Sequence, residues 1–372
     1  MEEIFRFADE FGPSKIVHIH RPAAGLKAVV AIDNIACGPA IGGVRMAPDV
    51  SAEEAFRLAR AMTLKNAAAG LPHGGGKSVI FADPKMPIRE KERLIRAFAA
   101  SIADLRDYIP GPDMGTDELA MGWIHDEIGR AAGLPREIGG IPLDEIGATG
   151  FGLAVAIETA GPAIGLELKG ARFAVQGFGS VGMHAARRLA AKGAVLVAAS
   201  DSKGTIANPD GLDVEALISH KARGGSLRDY GRGQAGDSDA IVDVACDIWI
   251  PAARPDVIHA GNVARLRTKL VAEGANIPCT EEAEAALTAR GIFVLPDFIA
   301  NAGGVICAAT EYAHGTESGA FAAIEQQIRG NTKAVVDESL RAGTLPRTAA
   351  VALAVARIKA AMRTRRWDHL LR

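Results

Sequence analysis

Two lysines at the ends of an apolar, glycine-broken segment are the residues whose chemistry most needs an explanation. Lys65 and Lys77 lie in the stretch MTLKNAAAGLPHGGGKSVI, which runs from residue 62 to 80. If both face one cleft, burial and mutual repulsion would lower a lysine's pKa and make its neutral form available as a base near neutral pH. The competing interpretation makes both lysines solvated surface charges. A phosphate-binding loop is excluded, because the Walker pattern needs a glycine where this chain has Leu71.

The residues around the two lysines indicate the elements that position them. Ser51, with a glutamate three residues later, has the spacing of a capping box. The amphipathic stretch after it predicts a helix that ends at Gly70 and carries Lys65 in its last turns. Glycines 74–76 lead into an apolar run, which predicts that Lys77 stands on a tight glycine turn at the mouth of a strand. Such a turn lets the backbone approach a ligand closely.

A third candidate, Asp113, lies in the segment Tyr108–Thr116, which is rich in proline and glycine. This composition predicts a loop, and Thr116 is a plausible N-cap for the helix that follows. Asp113 would then be held on a loop at the start of a helix. An ordinary turn aspartate is the competing interpretation, because Asp is a favoured turn residue.

The composition excludes several classes of protein. The chain has 372 residues, 48% of them hydrophobic and 23% charged, which suits a soluble globular protein of about two domains. A net charge of -2 without a basic block argues against nucleic acid as the main partner, and no apolar run reaches the length of about 20 residues that spans a bilayer. The acidic start MEEIFRFADEF does not have the pattern of a signal peptide. Four scattered cysteines indicate neither a disulfide framework nor a metal site, so we expect a reducing, cytoplasmic location.

The second part of the chain alternates strands and helices. Its start is marked by a loop-like composition around residues 133–146. This alternation predicts an α/β domain with a parallel sheet covered on both faces. The predicted strands are at residues 172–176, 194–200, 247–250, 269–272 and 292–295.

A dinucleotide site is predicted at the first strand-to-helix turn of this region. The turn has the pattern GxGxxG, formed by Gly177, Phe178, Gly179, Ser180, Val181 and Gly182. It follows a predicted strand, opens a helix and is followed by an acidic residue, Asp201, at the end of the next strand, as dinucleotide binding requires. Asp201 would hold a ribose 2′-hydroxyl, whereas Lys203 would receive a 2′-phosphate. The residues favour NAD and leave NADP open.

Taken together, these regions resemble the family of amino acid dehydrogenases that includes glutamate, leucine, valine and phenylalanine dehydrogenases. The resemblance covers nearly the whole chain, and its N-terminal half is most similar to leucine dehydrogenase, the nucleotide domain to the glutamate branch. The motifs that carry it are GPAIGGVRM (38–46), LKNAAAGLPHGGGKS (64–78), GPDMGT (111–116), ATGFG (148–152), QGFGSVG (176–182), AEGAN (272–276) and NAGGV (301–305).

The resemblance implies roles for individual residues. Lys65 matches the lysine that binds the substrate's α-carboxylate, and Lys77 matches the catalytic lysine that activates water. Asp113 matches the aspartate that exchanges protons with the amino or imino nitrogen, and Asn301 matches an asparagine at the substrate. The other positions implied are Gly43 at the substrate, and Thr149 and Asn276 around the nicotinamide.

The family's architecture supplies further expectations. It implies a two-domain α/β fold in which residues 1–132 form a substrate and oligomerisation domain with a small mixed sheet, completed by C-terminal helices at 335–372. Residues 133–334 would form a Rossmann-like doubly wound nucleotide domain, with the active site in a cleft between the two domains. Members of the family are usually homo-oligomers, so we expect a homo-oligomer here.

Four positions bear on the amino acid substrate. Glutamate-specific members place a lysine and a serine where this chain has Ile41 and Ala308. Because an unpaired buried carboxylate costs several kcal/mol, this difference argues against glutamate. With Gly111 and Val305, these residues would form an apolar pocket for a side chain such as that of leucine, valine, phenylalanine or tryptophan. The predicted reaction is reversible NAD(P)-dependent oxidative deamination of such an amino acid to the 2-oxo acid and ammonium.

Three alternative functions fit parts of this sequence. Glutamate dehydrogenase is the closest, since only the pocket residues argue against it. A nucleotide-binding regulatory subunit that has the fold without the activity is the second, since fold alone does not fix function. The presence of Lys65, Lys77 and Asp113 together argues against it, because a binding module has no need for a water-activating lysine. A 2-hydroxy acid dehydrogenase would need a histidine–carboxylate pair, for which His73 is the nearest candidate.

Overall fold

Two β-sheets, one in each of two units, organise the part of the chain that the computed structural model describes, residues 5–365. Within the described residues, the first unit contains residues 5–142, the segment Val305–Ala320 and residues 353–365. Its mixed five-stranded sheet has the order β1-β2-β4-β3-β5, in which β3 runs parallel to β4 and β5 while β1, β2 and β4 pair antiparallel. The strands are β1 (Lys15–Arg21), β2 (Leu26–Ile32), β3 (Ala40–Ala47), β4 (Gly74–Phe81) and β5 (Tyr108–Pro112).

Three helices follow strands of this sheet: α1 (Ala52–Ala69), α2 (Ile88–Ser101) and α3 (Glu118–Ile128). The start of α1 confirms the predicted cap, since the Ser51 hydroxyl accepts the N–H of Glu54 at 3.1 Å. Its end also agrees with the prediction, because Gly70 adopts a left-handed φ of 73°. An apolar core of residues from β1–β5, α2 and α3 lies on one side of the sheet, and α1 packs on the other side with a smaller apolar cluster.

The sequence predicted that glycines 74–76 form a tight turn before Lys77. This prediction is wrong, because these glycines are the first residues of strand β4. A Cβ on Gly74 would lie 1.8 Å from the Asn34 carbonyl oxygen, and one on Gly75 would lie 2.1 Å from the Thr63 nitrogen. These glycines therefore let α1 and a neighbouring loop approach the strand at distances that a side chain would prevent.

The segment around Asp113 also differs from the prediction. Tyr108–Pro112 is strand β5, and Asp117 instead of Thr116 caps α3 by accepting the N–H of Ala120. Two prolines are tolerated in β5 because it is an edge strand, where a missing N–H costs no ladder bond. The Thr116 hydroxyl instead donates to the Val44 carbonyl at 2.7 Å and accepts the N–H of Asp113 at 3.0 Å.

The second unit, residues 143–304 and 321–352, contains a seven-stranded sheet of order β12-β11-β10-β6-β7-β8-β9. The five strands from β12 to β7 are parallel, as the sequence predicted. Strands β8 and β9 were not predicted and extend one edge antiparallel. The strands are β6 (Arg172–Gln176), β7 (Val195–Asp201), β8 (Gly204–Ala207), β9 (Gln234–Gly236), β10 (Ile248–Pro251), β11 (Leu270–Ala272) and β12 (Phe293–Leu295).

Eight α-helices complete the described chain. They are α4 (Ala148–Ala160), α5 (Ser180–Ala191), α6 (Val214–Ala222), α7 (Glu281–Ala289), α8 (Asp297–Ala300), α9 (Gly303–Tyr312), α10 (Glu317–Ala342) and α11 (Pro346–Met362). No helix within residues 5–365 is long and apolar enough to cross a membrane.

The division into units lies at Leu143, ten residues beyond the predicted boundary, and two separate segments return to the first unit instead of the single stretch 335–372. The physical reason for the later boundary is a buried carboxylate on α9. Glu311 accepts the N–H groups of Gly133, Leu134 and Ile141 at 2.7–3.0 Å, which ties residues 133–141 of the loop-like segment to the first unit.

Candidate active site

The first unit brings Lys77 and Asp113 together. The Lys77 Nζ lies 2.7 Å from Asp113 Oδ2, and the two side chains are 8% and 21% exposed. Arg45 donates from Nε to the same oxygen at 3.0 Å and pairs through Nη1 with Glu54 at 2.6 Å. A mostly buried lysine thus shares one carboxylate with a guanidinium, which is the arrangement expected of a proton-handling site.

Adjacent strands and one glycine make this contact possible. Lys77 lies on β4 and Asp113 directly follows β5, while β3 runs between them and carries Gly43 and Arg45 on one face. A Cβ on Gly43 would lie 2.6 Å from the Asp113 Cβ and 3.0 Å from the Lys77 Nζ. Only a residue without a side chain leaves room for the pair at this point of β3.

The surroundings lower the pKa of both side chains, which disfavours the charged form of Lys77 and favours the charged form of Asp113. Burial is the largest effect on Lys77 and lowers its pKa despite Asp113, which favours the charged ammonium; the nearby Arg45 guanidinium lowers the pKa further. Burial would raise the pKa of Asp113, but the attraction of Lys77 and Arg45 outweighs it and holds that pKa below its usual value. The site therefore keeps an ionised aspartate beside a lysine that loses its proton more readily than a solvated one.

Lys65, the other lysine, lies half-buried in the last turns of α1, as predicted. The next residue, Asn66, is fully buried and donates from Nδ2 to the Gly74 carbonyl at 2.7 Å. This bond fixes the end of α1 on β4, the strand that carries Lys77.

A small apolar cluster contains two of the predicted pocket residues. Ile41 packs with Ile109 and Ala132, and Ala308 and Tyr312 of α9 lie against them. The sequence did not single out Ile109, Ala132 or Tyr312, since their approach depends on α9 returning to the first unit.

The other two predicted pocket positions have different surroundings. Gly111 pairs with Gly43 across β5 and β3, and a Cβ there would have no heavy atom nearer than 3.8 Å, so the position is open. Val305 is half-buried, three residues before Ala308 on α9. His73 lies edge-on to the Tyr312 ring at a centroid distance of 6.0 Å, and burial lowers its pKa.

In the second unit the three glycines of GxGxxG serve three different purposes. Gly177 has a φ of +92°, and its Cβ would lie 2.7 Å from the Ala252 carbonyl carbon. Gly179 has no heavy atom within 4 Å of a Cβ, so a ligand has access to the backbone there. A Cβ on Gly182 would lie 2.1 Å from the Gly177 carbonyl oxygen, which shows that helix α5 and the turn touch closely. This division is the one that a pyrophosphate-binding turn requires.

The first turn of α5 is free to face a ligand. The helix begins at Ser180 without a side-chain cap on its N-terminal amides, and such amides favour anions. The Ser180 hydroxyl donates instead to the Asp144 carbonyl at 2.8 Å. The next residue, Val181, contributes a methyl group that would lie 3.3 Å from a Cβ on Gly274.

A cavity of about 480 Å³ opens at this turn, and Asp201 and Lys221 are among the residues that line it. Asp201 accepts the Lys221 ammonium at 2.8 Å and the N–H of Lys203 at 2.9 Å. Burial would raise the pKa of Asp201, but these donors hold it below its usual value. Lys203, the cation that the sequence indicated, thus contributes its backbone amide, while Lys221 from α6 is the ion-pair partner. No local sequence pattern connects residues 201 and 221, so only the fold shows this pair. The turn, the open Gly179 and the carboxylate together suit a dinucleotide.

The residues expected near the nicotinamide also meet within this unit. Asn301 donates from Nδ2 to the Asn276 side-chain oxygen at 2.9 Å. Thr149 lies at the start of α4, and a Cβ on Gly304 would lie 3.0 Å from its hydroxyl. The glycines of NAGGV therefore allow the start of α9 to lie against the start of α4.

Comparisons with known proteins agree with this arrangement. A family model described as "Glutamate/Leucine/Phenylalanine/Valine dehydrogenase" matches residues 139–366, and one described as "Glu/Leu/Phe/Val dehydrogenase, dimerisation domain" matches residues 13–130. The chain is 39% identical to a glutamate dehydrogenase of Aeropyrum pernix, over 90% of this chain and 85% of that protein.

Solved structures similar to this chain are also amino acid dehydrogenases. The hetero-hexameric glutamate dehydrogenase of Thermus thermophilus, in a leucine-bound form, is 30% identical with a TM-score of 0.82 over 94% of this chain and 89% of that one. The L-tryptophan dehydrogenase of Nostoc punctiforme is 26% identical with a TM-score of 0.76 over 96% and 98% of the two chains. The two family matches and the identity over most of the chain show that this protein belongs to the glutamate/leucine/phenylalanine/valine dehydrogenase family and is an amino acid dehydrogenase.

Proposed function

We propose that the protein catalyses the reversible NAD(P)-dependent oxidative deamination of an L-amino acid to its 2-oxo acid and ammonium. The observation that carries this proposal is the contact between buried Lys77 and half-buried Asp113, 2.7 Å apart, with Arg45 on the same carboxylate. In this scheme Lys65 binds the α-carboxylate of the substrate. Lys77, whose pKa is lowered by burial, takes a proton from the water that attacks the imino carbon, and Asp113 exchanges protons with the substrate nitrogen.

The dinucleotide would be held by the second unit and, when bound, accepts the hydride from the substrate's Cα. The turn at Gly177–Gly182 would bind the pyrophosphate, and Thr149, Asn276 and Asn301 would hold the nicotinamide end and the substrate. Asp201 supports NAD as the preferred cofactor, since a carboxylate accepts the ribose hydroxyls. Its partner Lys221 keeps NADP as the alternative.

Two substrates are supported by different observations. The names of the relatives favour glutamate over an apolar amino acid, because the Aeropyrum and Thermus proteins are both glutamate dehydrogenases. The cluster of Ile41 with Ala308 and Tyr312 favours an apolar side chain, as does the likeness to a tryptophan dehydrogenase. In that cluster, a glutamate side-chain carboxylate would lack the lysine and serine that we expect in glutamate-specific members.

Initial rates of NADH and NADPH formation with a panel of L-amino acids would test the proposed reaction and the choice between the two substrates. The panel should contain glutamate, leucine, valine, phenylalanine and tryptophan, and Lys77→Ala protein prepared in parallel supplies the background rate. Activity on any of them supports the reaction, and the preferred amino acid decides between the two substrates. Protein that binds NADH but oxidises nothing in the panel would contradict the proposal and support a regulatory subunit without activity.

The pocket itself can be tested by exchange of two side chains. We expect the double variant Ile41→Lys, Ala308→Ser to gain activity on glutamate relative to the wild type, because an ammonium and a hydroxyl would then meet the substrate's second carboxylate. The ratio of kcat/KM for glutamate to that for leucine measures the gain. Ile88→Lys, which adds the same charge at an exposed position, is the matched control. An unchanged ratio in folded double variant would show that these positions do not contact the substrate's side chain.

We also propose that the chain assembles into a homo-oligomer. The description of the family model for residues 13–130 as a dimerisation domain supports self-association, and the hetero-hexameric Thermus relative supports an oligomeric state without showing that the subunits are identical. Sedimentation equilibrium of the purified protein measures the number of subunits, and a monomer at micromolar concentration would contradict this proposal. A cytoplasmic location stays a prediction, supported by four cysteines without a disulfide partner.

A further inference from the structure

A buried cluster of charges lies in the second unit, apart from the Lys77 pair. At the start of α11, Arg347 donates to three carboxylates: Glu273 at 2.7 Å, Glu284 at 2.6 Å and Asp297 at 2.9 Å. All three acidic residues are buried, Glu273 completely. We call these four residues the Arg347 cluster. Since three carboxyl groups surround one guanidinium, removal of the arginine would leave buried negative charge without compensation.

Burial shifts the pKa of two carboxyl groups in the cluster upward. Burial raises the pKa of Glu273 to about 8, despite the attraction of Arg347, and burial also raises the pKa of Glu284. Glu273 Oε2 accepts both Arg347 and the N–H of Asp297, whereas its Oε1 has no hydrogen-bond partner among the described residues. Burial thus makes the Glu273 carboxyl hold a proton more readily than a solvated carboxyl does.

One member of the cluster reaches the backbone beside Asn276. Asp297 Oδ2 accepts the N–H of Ile277 at 2.9 Å. Ile277 has a φ of +48°, which is rare for a β-branched residue, and it is 56% exposed. Because Ile277 is mostly exposed, hydrogen bonds to its backbone restrain this strained conformation: its N–H donates to Asp297, and its carbonyl accepts the N–H of Asp256 at 3.0 Å.

The same aspartate also reaches Asn301. The Asp297 carbonyl accepts the N–H of Asn301 at 2.7 Å, and Asn301 in turn donates to the Asn276 side chain at 2.9 Å. Asp297 thus restrains both asparagines of the Asn276–Asn301 pair. Its side chain holds the backbone of Ile277, which follows Asn276, and its carbonyl binds the N–H of Asn301 directly. Arg347 and Glu273 hold Asp297 through its side chain and its N–H respectively.

We propose that Arg347 is a positioning residue for the reaction: it fixes Asp297, and through it the Asn276–Asn301 pair that holds the nicotinamide end of the dinucleotide and the substrate. This inference rests on the proposed function, which gives the two asparagines their roles. It adds a residue that lies outside every motif by which the chain resembles its family. Arg347 acts at a distance, since its own contacts are with the carboxylates of its cluster and with the Phe298 ring.

The test compares Arg347→Met and Arg347→Lys with the wild type. Methionine removes the charge at similar length, and lysine keeps the charge but cannot present a planar fork to three carboxylates. We expect kcat to fall by roughly tenfold or more in Arg347→Met, as Ile277 relaxes and the pair loses its geometry, and NADH to bind more weakly. Arg347→Lys should be intermediate. The measurements are kcat and KM for the amino acid, and an equilibrium fluorescence titration with NADH.

Arg290→Met is the matched control in the same unit. Arg290 donates to the carbonyls of Val263 and Leu266, and no contact links it to the asparagine pair in the described chain. We expect this variant to lose thermal stability while kcat and NADH affinity stay at the wild-type values. Millimolar guanidinium should restore part of kcat in Arg347→Ala protein but not change kcat in Arg290→Ala protein.

Two results would overturn the inference. One is folded Arg347→Met protein with wild-type kcat and NADH affinity. The other is a loss of stability without a loss of kcat per folded molecule, which would make the role of Arg347 purely structural. If Arg347→Met protein does not fold, the same two measurements on Arg347→Lys protein decide. Failure of the proposed function is distinguishable, because the NADH titration needs no turnover and still compares the variants if the wild type oxidises no amino acid.

Discussion

At the scale of single residues, the proposed catalytic pair depends on the absence of a side chain at residue 43. Lys77 and Asp113 approach to 2.7 Å only because Gly43 leaves the space beside them empty. The lowered pKa of Lys77 follows from burial in this space and from Arg45, which also keeps Asp113 ionised. The separation and the charge states of the pair are therefore set by neighbouring residues, Gly43 and Arg45.

Substitution of Gly43 by alanine tests this dependence. The new Cβ would lie 2.6 Å from the Asp113 Cβ, so one of the two side chains must move. Since a displacement of about 1 Å in a reacting group costs on the order of a hundredfold in rate, we expect kcat to fall by about that factor. Steady-state kinetics with the best amino acid of the panel measures the loss. Gly330→Ala, at an exposed helix position with open space, is the control, and equal activity of both variants would refute the steric argument.

At the scale of elements, caps and edges explain where helices and strands begin and end. The Ser51 cap and the left-handed Gly70 set both ends of α1, and the bond from Asn66 to Gly74 holds its last turn on β4. Helix α1 carries Lys65 and β4 carries Lys77, so this junction positions both predicted lysines. The N-cap is local chemistry, which is why it could be predicted from four residues of sequence.

Loss of the cap should weaken the whole element. We expect Ser51→Ala to lower the free energy of unfolding by about 1 kcal/mol, because the amide of Glu54 loses its acceptor. Urea denaturation measures this change, and hydrogen exchange of the Glu54 amide should become faster. Ser219→Ala, at an exposed position within α6, controls for the removal of a hydroxyl. Unchanged exchange at Glu54 would show that the hydroxyl contributes nothing to the helix start.

At the scale of the whole molecule, the buried charges link stability to pH. Glu273 has a raised pKa of about 8 in the folded state, where Arg347, Asp297, Glu284 and Cys279 face it. In the unfolded chain the same carboxyl loses its proton near its ordinary value. Between these two pKa values the folded state binds the extra proton, so its contribution to stability is complete below the unfolded pKa and is lost as the pH rises through about 8.

This linkage predicts that the free energy of unfolding depends less on pH in the variant Glu273→Gln than in the wild type. From pH 5 to 8 we expect the wild type to lose stability relative to Glu273→Gln, with a slope of up to about 1.4 kcal/mol per pH unit for one proton. Urea unfolding at several pH values measures the difference. Glu325→Gln, an exposed glutamate on α10, controls for the loss of one charge. Parallel profiles for the wild type and Glu273→Gln would mean that the folded protein does not retain this proton.

The sequence by itself determined the two-domain α/β class, the helix that carries Lys65, the GxGxxG turn and the candidate residues Lys77 and Asp113. These follow from local patterns, such as caps, periodicity and glycine spacing, or from motifs in a known order. Tertiary structure alone decided that glycines 74–76 lie inside a strand, that residues 108–112 form an edge strand, and that Arg45 shares the carboxylate of Asp113. It also decided the Lys221–Asp201 pair and the Arg347 cluster. The physical reason is the same in each case: the partners are far apart in the chain, and the space and charge that one residue meets are set by the packing of another element.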